Sequence, residues 1–508
     1  MKLFTAEQIK ELDQYTVVSE KIKSVDLMER AAKAAANRIS KLLGKEQAID
    51  IFCGSGNNGG DGLAIARLLL DENHVVRVIL PRYGAALSHD AELNYQYLRK
   101  IYPGVLTEIH TMDELIAMHL EHHIAAIDAL IGNGINKPIE GFLGEIISFL
   151  NSNYKKIISI DIPSGLYPDK SSSACNFIVK CNLCLTFQFP KLAFLLPQNQ
   201  NYVPEFEILD IGLSSEKQIE FDSPYYYVTA IELAQFLKPR LKYSHKGNFG
   251  HALLVAGSKG KSGAAVIAAE ACLRSGAGLL TLHSVRDTIN AVLRTLPEAM
   301  SDEDLNLDYI SNLELPEKYN AICFGPGTGT EPETETVLKK ILQYYSGSLL
   351  IDADGLNILS SNKTWLEFLP QDCILSPHPR EFERLTEKVV DDFDRLEVLR
   401  KFATKYACIV IYKGAHSAIA MPDGNVFFNS SGNPGLAKGG SGDALSGIIL
   451  GLLARGYNAP QAALLGVFIH GFAADLCHDE MSEEAMLISD VIKKLPAAFL
   501  QLEDLKHF

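Results

Sequence analysis

The sequence predicts two α/β domains in tandem, each built on a mostly parallel sheet covered by helices. Two series of short apolar segments, each ending in turn residues, alternate with longer amphipathic stretches. That alternation is typical of parallel sheets with helices on both faces. A chain of 508 residues also exceeds what one ordinary core accommodates. The stretch SSEKQIEFDSPYYY follows neither period, so we expect domains at residues 1–213 and 228–508, joined by a linker at 214–227.

The predicted elements follow the chain in order. Residues 5–41 are helical in pattern, because Leu27, Ala31, Ala35 and Ile39 recur at four-residue spacing. The first series of strands is AIDIFCGSG, HVVRVILP, HIAAIDALIG, KIISIDIPSG, LCLTFQFP and FEILDIG, and the second is HALLVAGS, LLTLHS, NAICFGPGTG, SLLIDADG, CILSPHP, CIVIYKG, SAIAM and GNVFF. Residues 421–425 predict a hairpin loop, because Asp-Gly accepts the positive φ of a tight turn. Helical segments at 443–455 and 460–478 follow.

The composition narrows the classes of function. A formal net charge of −15 argues against a nucleic-acid-binding surface, which needs clustered Lys and Arg. The N-terminal segment lacks a signal-peptide core, and no uninterrupted apolar run approaches the ~18 residues of a membrane span. We therefore expect a cytoplasmic protein without nucleic-acid or membrane partners. Cys181 and Cys184 form a C-x-x-C, but without a second such pair a metal site is the minor interpretation.

A glycine-rich segment, GSGNNGGDG at residues 54–62, directly follows the first predicted strand. Glycines allow the backbone to turn sharply and approach a ligand, and free N–H groups at a helix start attract anionic oxygen. Asn57 and Asn58 add amide donors and acceptors, and Asp61 is placed to cap a helix that we expect to begin at Leu63. A tight turn that merely needs small residues is the alternative. The two Asn and the Asp favour a binding loop.

Polar residues also end two later strands, with Asp128 in IDALIGNG and Asp161 and Ser164 in IDIPSG. The carboxyl ends of parallel strands share one sheet edge, where open α/β sheets bind ligands. These residues and Asn58 are therefore expected to converge on one crevice. Oxygen groups of this kind suit a cation, a ribose or a proton transfer, although a single Asp is more often a helix cap.

The segments GSGNNGGDGLAIARLL, IDALIGNGI and IDIPSG resemble the YjeF N-terminal domain family, the NAD(P)H-hydrate epimerases, over nearly all of residues 1–213. The resemblance implies a Rossmann-like fold and a bound potassium ion that contacts Asn58, Asp128 and Ser164. It also implies proton transfer by Asp161, with the charge of Lys191 assisting. The residues implied to bind the hydrated dinucleotide are Asn57, Asn58, Gly59, Gly60, Asp61, Gly132, Asn133, Gly134, Ile135, Asn136, Lys137, Pro138 and Asp161.

The sequence departs from this family at Tyr167, where an acidic or amide residue is common, and the stretch 168–178 is short. Both departures bear on the efficiency of epimerisation rather than on the fold. A scaffold role on the same fold is the alternative interpretation of this domain.

The second glycine-rich segment, GNPGLAKGGSGD at residues 432–443, is followed by an apolar helical pattern. Residues 439–442 predict a concavity of N–H groups at a helix N-terminus, which stabilises negative charge on a phosphoryl group. Asp443 is positioned to take a proton from an attacking hydroxyl, and a bare N-cap role is the alternative. No G-K-[ST] tail follows, so this is not a Walker A loop.

This segment resembles the ribokinase-like superfamily, and SHKGNFGHALLVAGS, GPGTG, SPHPREFERL and YKGAHS resemble the NAD(P)H-hydrate dehydratase family within it, over about 227–497. The resemblance implies a ribokinase-like α/β/α sandwich. It implies that the C6 hydroxyl of the hydrate is phosphorylated with ADP or ATP and Mg²⁺, and that phosphate is then eliminated. The residues implied to bind the hydrate are Ala264, Gly327, His378 and Asp443. The residues implied to bind the adenine nucleotide are Lys413, Gly414, Ala415, His416, Ser417, Asn433, Gly439, Gly440, Ser441 and Gly442.

Three residues of these motifs have a second interpretation. A single His is more often structural, yet His378 lies between two prolines in a strand-end loop, a poor position for core packing. Arg380 and Glu381 beside it are compatible with a surface pair. Ser441 stands where Thr is commoner in the loop, a change that keeps the hydroxyl.

These features together predict a bifunctional enzyme that repairs hydrated NADH and NADPH (NADHX and NADPHX). The N-terminal domain interconverts the R and S hydrates, and the C-terminal domain returns the S form to NAD(P)H at the expense of ADP or ATP. We also expect a homo-oligomer. Two alternatives are another ribokinase-like enzyme, such as a vitamin-precursor kinase with a non-catalytic N-terminal domain, and a non-catalytic binding protein. The sequence leaves open the choice between ADP and ATP and between the two hydrates.

Overall fold

The computed structural model describes residues 1–84, 86–118, 125–315 and 318–507. Its contacts divide the chain into two compact units. The N-terminal unit comprises Lys2–Ser223 and Asp391–Phe393, and the C-terminal unit comprises Met1, Pro224–Val390 and Asp394–Phe508. The predicted α/β class, with a mostly parallel sheet in each unit, is confirmed.

The N-terminal unit has a parallel sheet with helices along the chain between its strands. In the described residues its strands are β1 (Ile49–Cys53), β2 (Val76–Pro81), β3 (Leu106–Ile109), β4 (Ala125–Ala129), β5 (Lys156–Ile160), β6 (Leu183–Phe187) and β7 (Phe206–Leu209). Its helices there are α1 (Ala6–Ser19), α2 (Ser24–Leu42), α3 (Asn57–Asp71), α4 (His89–Ile101), α5 (Met112–Ala117), α6 (Gly141–Asn153) and α7 (Ser215–Glu220). The predicted strand at HIAAIDALIG begins at residues 123–124, which lie outside the described residues.

The strand order of this sheet, β3-β2-β1-β4-β5-β6-β7, fixes where a ligand site forms. The chain leaves β1 in one direction for β2 and β3, and returns to the other side of β1 with β4. The carboxyl ends of β1 and β4 therefore flank the crevice in which doubly wound sheets bind ligands. Both strands are fully buried, as expected for parallel strands covered on two faces.

The C-terminal unit has a larger sheet. Its strands, as far as the chain is described, are β8 (Tyr225–Tyr227), β9 (His251–Val255), β10 (Leu279–Ser284), β11 (Met300–Glu303), β12 (Ala321–Phe324), β13 (Ser348–Ile351), β14 (Ile374–Leu375), β15 (Ile409–Tyr412), β16 (Ala418–Ala420) and β17 (Val426–Phe428). The helices in the same part of the chain are α8 (Ala230–Ala234), α9 (Ser262–Arg274), α10 (Arg286–Thr295), α11 (Pro332–Tyr344), α12 (Asp354–Ser361), α13 (Pro379–Leu385), α14 (Asp392–Lys405), α15 (Ser441–Ala454), α16 (Ala459–His478) and α17 (Ile488–Asp504).

The order of the second sheet is β11-β10-β9-β12-β13-β14-β15-β16-β17-β8. Strands β9 to β15 pair in parallel, whereas β16 pairs antiparallel with β15 and with β17. The hairpin predicted at residues 421–425 is thereby confirmed. The carboxyl ends of β9, β12, β13, β14 and β15 share one edge, so the segments that follow these strands are brought together.

Some elements were not predicted because they lack an apolar period. Strands β3 and β11 are at sheet edges, and β11, with the sequence MSDE, is mostly exposed. Strand β8 and helix α7 lie in the stretch expected to be a linker, and β8 pairs with β17. The helical pattern at residues 5–41 is divided into α1 and α2.

Helix α16 is long and apolar enough to cross a membrane by length and composition. However, 72% of its most apolar window is buried within the protein, and its residues belong to the main core cluster of the C-terminal unit. Packing in that core accounts for its composition.

Candidate active sites

The glycine-rich segment after β1 is mostly helical. Helix α3 begins at Asn57, with Gly56 as its N-cap, so the expected start at Leu63 is wrong. Asp61 consequently lies inside the helix, and its expected capping role is wrong as well. The N-terminus of α3 still faces the sheet edge at the end of β1, where its free N–H groups attract anionic oxygen.

Close packing explains why these glycines occur within a helix. A Cβ on Gly59 would lie 1.8 Å from the carbonyl oxygen of Gly54, and a Cβ on Gly62 would lie 2.7 Å from the Cβ of Ala129. Helix α3 therefore approaches β1 and β4 more closely than any residue with a side chain would permit. The sequence pattern correctly indicated that small residues are needed here, but it incorrectly placed them in a loop rather than in a helix.

Asp161, which directly follows β5, is the centre of a hydrogen-bonded cluster. Its Oδ1 accepts hydrogen bonds from Lys191 Nζ at 2.6 Å and from the Phe187 N–H at 3.2 Å. Its Oδ2 accepts one from the side-chain amide of Asn133. Lys191 is only 1% exposed and also donates to Thr186 Oγ1 at 2.8 Å. The structure thus brings Asp161, Lys191 and Asn133 of the predicted site together.

Two further carboxyl groups lie near this cluster. Burial and then the charge of Asp161 raise the pKa of Asp13 to about 7, with Lys191 acting in the opposite direction. Burial and the charges of Asp161, Asp13 and Asp90 hold the pKa of Asp61 well above its usual range. Sequence reasoning missed Asp13. The available signal was its position on α1, one residue after the buried Leu12.

The three residues predicted to contact potassium lie near the ends of β1, β4 and β5. Asp128 is fully buried, and its carboxylate accepts hydrogen bonds from Ser164 Oγ at 2.6 Å, the Ser164 N–H at 2.9 Å and Ser159 Oγ at 2.8 Å. Burial raises the pKa of Asp128, and these donors oppose the rise. Asn58 packs against Gly132. Both polar atoms of the Asn58 side chain are buried without a hydrogen-bond partner.

A separate cleft of about 760 Å³ contains the later part of the predicted dinucleotide loop, residues 134–138. Arg82, Tyr83 and His110, at the ends of β2 and β3, also line it. Neither the residues of α3 nor Asp161 line this cleft. The predicted binding residues of the N-terminal unit are therefore spread over two neighbouring parts of one sheet edge, as an elongated ligand requires.

In the C-terminal unit the second glycine-rich segment forms the predicted bend before a helix. Helix α15 begins at Ser441, and its N-cap is Gly440 with a φ of 94°, a left-handed conformation that favours glycine. Asp443 is the third residue of the helix, so the alternative that it is the N-cap is wrong. The N–H groups of the bend and the Asp443 carboxyl are thus presented by the same first turn.

A partly buried ion pair lies beside this turn. Lys413, which follows β15, donates to Asp352 Oδ1 at 2.9 Å, and Ser446 of α15 donates to Asp352 Oδ2 at 2.6 Å. Burial, and then the negative charge of Asp352, raises the pKa of Asp443 to about 6, with Lys413 opposing and Asp354 adding to the rise. Near neutral pH the Asp443 carboxylate is thereby both populated and basic enough to accept a proton.

The residues predicted to bind the hydrate lie at the ends of β9, β12 and β14. Gly327 has a φ of 65°, and a Cβ there would lie 3.2 Å from the Cβ of Ala264. Lys261, one turn before Ala264, is paired with Asp354 at 3.0 Å. These residues therefore connect the segment after β9 to the acidic segment after β13.

His378 is the N-cap of α13. Its Nδ1 accepts hydrogen bonds from the N–H groups of Arg380 at 3.1 Å and Glu381 at 3.2 Å. Glu381 is buried, and its Oε2 accepts a hydrogen bond from the His378 N–H at 2.8 Å, so its interpretation as a surface residue paired with Arg380 is wrong. The His378 side chain is still 45% exposed, which leaves its other face available to a ligand.

A cavity of about 640 Å³ joins the bend to the end of β15. The lining residues that were predicted for hydrate or nucleotide binding are His378, Lys413, Gly414, Ala415, Ser417, Asn433, Ser441 and Gly442. His416, Gly439, Gly440, Asp443, Ala264 and Gly327 do not line it. The His416 ring instead contacts the Asn429 carbonyl oxygen at 3.1 Å. His470 also lines the cavity, and its Nε2 is buried without a partner.

Comparison with known proteins agrees with both sets of motifs. A family model described as NAD(P)H-hydrate dehydratase matches residues 252–497, and one described as YjeF-related protein N-terminus matches residues 24–193. The predicted resemblances, and with them the Rossmann-like and ribokinase-like fold classes, are confirmed.

Relatives match both parts at once. The chain is 32% identical to the bifunctional NAD(P)H-hydrate repair enzyme Nnr of Moorella thermoacetica, over 99% of this chain and 98% of that protein. It is 29% identical to the enzyme of the same name from Escherichia coli, over 92% of this chain and 88% of that protein. A solved ADP/ATP-dependent NAD(P)H-hydrate dehydratase from Bacillus subtilis, co-crystallized with ATP/Mg²⁺, is 31% identical with a TM-score of 0.49, and the match covers 55% of this chain and 99% of that chain.

Proposed function

The chain belongs to the family of bifunctional NAD(P)H-hydrate repair enzymes, and we propose that its two sites carry the two activities of that family on the residues described above. The protein repairs hydrated NADH and NADPH by epimerising the R and S hydrates and by dehydrating the S form with ADP or ATP. The alternative of a vitamin-precursor kinase is not favoured, because the relatives that match the full chain are repair enzymes.

Dehydration is assigned to the C-terminal unit, with Asp443 as the base. The C6 hydroxyl oxygen of the hydrate attacks the terminal phosphorus of ADP or ATP, and its proton passes to Asp443; Mg²⁺ would neutralise charge on the phosphates of the nucleotide. The bond from that phosphorus to the bridging oxygen breaks, and AMP or ADP leaves. Phosphate then departs from C6 as a proton leaves the neighbouring ring carbon, which restores the dihydropyridine. The position of Asp443 in the first turn of α15, directly after the bend at Gly440, is the observation that carries this assignment, and its raised pKa supports it.

The bend from Gly439 to Gly442 is assigned to the phosphates. Its N–H groups at the start of α15 stabilise the charge that develops on the transferred phosphoryl group. Lys413 lies 3.5 Å from where a Cβ on Gly442 would stand, so its ammonium group acts on the same phosphates. Of the remaining nucleotide residues, Gly414, Ala415, Ser417 and Asn433 line the cavity of about 640 Å³, a size suited to a small-molecule ligand.

Epimerisation is assigned to Asp161 and Lys191 of the N-terminal unit. Their 2.6 Å contact is shielded from water, because the Lys191 side chain is 1% exposed. An acid–base pair of this kind moves a proton to and from the hydrate while C6 inverts. The residues on α3 and the loop at 132–138 are assigned to the dinucleotide, since they lie at the carboxyl ends of β1 and β4.

Potassium is assigned to Asn58, Asp128 and Ser164, and the donor set fits it. Asn58 Oδ1 is a buried acceptor without a partner, and at the ends of β4 and β5 the Ser164 hydroxyl donates to the Asp128 carboxylate at 2.6 Å. Hard oxygen donors of this kind suit an alkali or alkaline-earth cation. When bound, the ion would supply a fixed positive charge at this edge of the sheet. A cytoplasmic location and a homo-oligomeric state complete the proposal, and light scattering of the purified chain tests the latter.

The test follows recovery of the reduced nicotinamide band, at roughly 340 nm, from a mixture of R and S hydrates with Mg²⁺, K⁺ and either ADP or ATP. We expect full recovery by the unmodified chain and recovery slower by about 10²–10⁴-fold with Asp443→Asn. For Lys191→Met we expect rapid recovery of the S fraction followed by a slow phase. A stable phosphorylated product without recovered absorbance would instead identify a kinase, and an Asp443→Asn variant as active as the unmodified chain would overturn the assigned base.

A further inference from the structure

Asp352 connects three segments of the dehydratase site, although no family motif quoted above singled it out. It follows β13 and is 1% exposed. Each carboxylate oxygen is occupied, Oδ1 by Lys413 Nζ at 2.9 Å and Oδ2 by Ser446 Oγ at 2.6 Å. Ser446 lies three residues after Asp443 on α15, and residues at that spacing are neighbours on a helix surface. Asp352 therefore fixes Lys413 beside the helix turn that presents Asp443.

The backbone after β13 is held in an uncommon conformation that serves this arrangement. Ala353 has a φ of 48° and a ψ of −118°, a region that costs a residue with a Cβ roughly 1–3 kcal/mol. The distortion lets Asp352 face Lys413 and Ser446 while Asp354 faces Lys261 at 3.0 Å and the Gly329 N–H at 2.9 Å. Both carboxylates thus meet a lysine from a different strand end.

We propose that Asp352 is a positioning residue for phosphoryl transfer, which holds Lys413 ready for the nucleotide phosphates and keeps a second negative charge next to Asp443. This role rests on the proposed function of the site. A carboxylate beside Asp443 favours the protonated form of Asp443 and so makes its anion a better base. The charged or titratable groups that bear on Asp443 are Asp352 and Asp354 after β13, Lys413 after β15, and the Cys323 thiol on β12.

The test measures the pH dependence of S-hydrate dehydration for the full chain and for Asp352→Asn. The amide keeps the size of the side chain and removes its charge. We expect kcat to fall about 10-fold to 100-fold, in the range of general-base effects, and the acid limb of the kcat profile to move to lower pH. The KM for ADP is expected to change less than about threefold, because no residue that lines the cavity is replaced and the amide oxygen of the new side chain can still accept from Lys413. Glu367→Gln, an exposed carboxylate 3.7 Å from Lys405, is the matched control and is expected to leave all three quantities unchanged.

Ser446→Ala provides a second test that leaves the Asp352 charge in place. We expect a several-fold lower kcat without movement of the acid limb, since one hydrogen bond and no charge is lost. If Asp352→Asn does not fold, a kcat of Ser446→Ala equal to that of the unmodified chain overturns the proposal. If Asp352→Asn folds, an unchanged acid limb with kcat within about twofold overturns it. Failure of the proposed function is a separate result, because the unmodified chain would then recover no absorbance with ADP or ATP.

Discussion

Replacing Asp443 by Asn is expected to stabilise the protein while it abolishes dehydration. The rise in the pKa of Asp443 from 3.8 to about 6 means that the folded state disfavours the carboxylate. At about 1.4 kcal/mol per pH unit, the ionised Asp443 lowers the free energy of unfolding by up to about 3 kcal/mol. Asparagine has a similar size and no charge, so it removes this cost. For a domain of this size the gain corresponds to a rise in melting temperature of roughly 5–10 °C.

The sign of the effect with pH follows from linkage. Below pH 4 the carboxyl is protonated in both the folded and the unfolded chain, so the unmodified protein and the Asp443→Asn variant are expected to be equally stable. Between pH 4 and about 6 the unfolded chain releases its proton first, which lowers the stability of the unmodified protein alone. The difference in stability between the variant and the unmodified protein therefore increases over this pH interval and stays constant above it.

Thermal melts at half-unit pH steps from pH 4 to 8 measure this difference, with Glu367→Gln as the control for loss of an exposed carboxylate. Dehydration by Asp443→Asn is expected to fall by about 10²–10⁴, the usual contribution of a general base. A variant that is less stable than the unmodified protein at pH 8, or a stability difference that is already complete at pH 4, would refute the reasoning. The first result would mean that the carboxylate is stabilised in the folded state, and the second that the stability difference does not come from ionisation with a raised pKa.

Three other changes address the N-terminal unit. Lys191→Met leaves the partly buried Asp161 without its cation. We therefore expect loss of epimerisation and a cost of about 3–5 kcal/mol or less in chemical denaturation, with dehydration of pure S hydrate intact. An epimerase as fast as the unmodified one would contradict the assignment. Exchange of K⁺ for a bulky organic cation is expected to slow epimerisation and to lower the melting temperature of the N-terminal unit, because the buried Asn58 oxygen loses its ligand. Equal melting curves in both salts would exclude a specific ion. Gly62→Val places a side chain 2.7 Å from the Ala129 Cβ and is expected to lower the free energy of unfolding by about 1–3 kcal/mol or more. The control Gly44→Ala, with open space around it, should leave the urea midpoint unchanged. Equal effects of the two substitutions would show that contact with β4 is not the reason.

The sequence predicted the fold class and most buried strands because parallel strands covered on both faces are continuous apolar runs. It failed for elements that lack such a run. Strand β11, with the sequence MSDE, is an exposed edge strand held by pairing with β10. Strand β8, formed by three tyrosines, is likewise an edge strand that exists only by pairing with β17. Pairing partners far along the chain decided both, and no local pattern carries that information.

The site residues divide in a similar way. Asp161, Lys191, Lys413 and Asp443 could be proposed as site residues from the sequence because they stand in recognisable motifs. Asp352 was not singled out, because its significance comes from a lysine 61 residues away. The start of α3 was misplaced for another reason: glycine is unfavourable in a helix, and only the close approach of β1 and β4 makes it necessary there. Motifs identify candidate catalytic residues, whereas contacts across the sheet determine the position and the pKa of those residues.

The position of the lysine relative to the aspartate accounts for the difference between the two sites. In the N-terminal unit Lys191 contacts Asp161 directly at 2.6 Å, so in the proposed mechanism donor and acceptor form one pair that exchanges a proton with the hydrate and recovers it. In the C-terminal unit Lys413 contacts Asp352 at 2.9 Å, and Asp443 keeps a raised pKa of about 6. A base that must take a proton from an alcohol and not return it gains from a neighbouring negative charge. Moving the carboxylate contacts of Lys413 from Asp352 to Asp443 would lower the pKa of Asp443, and the same residues would then make a poorer base.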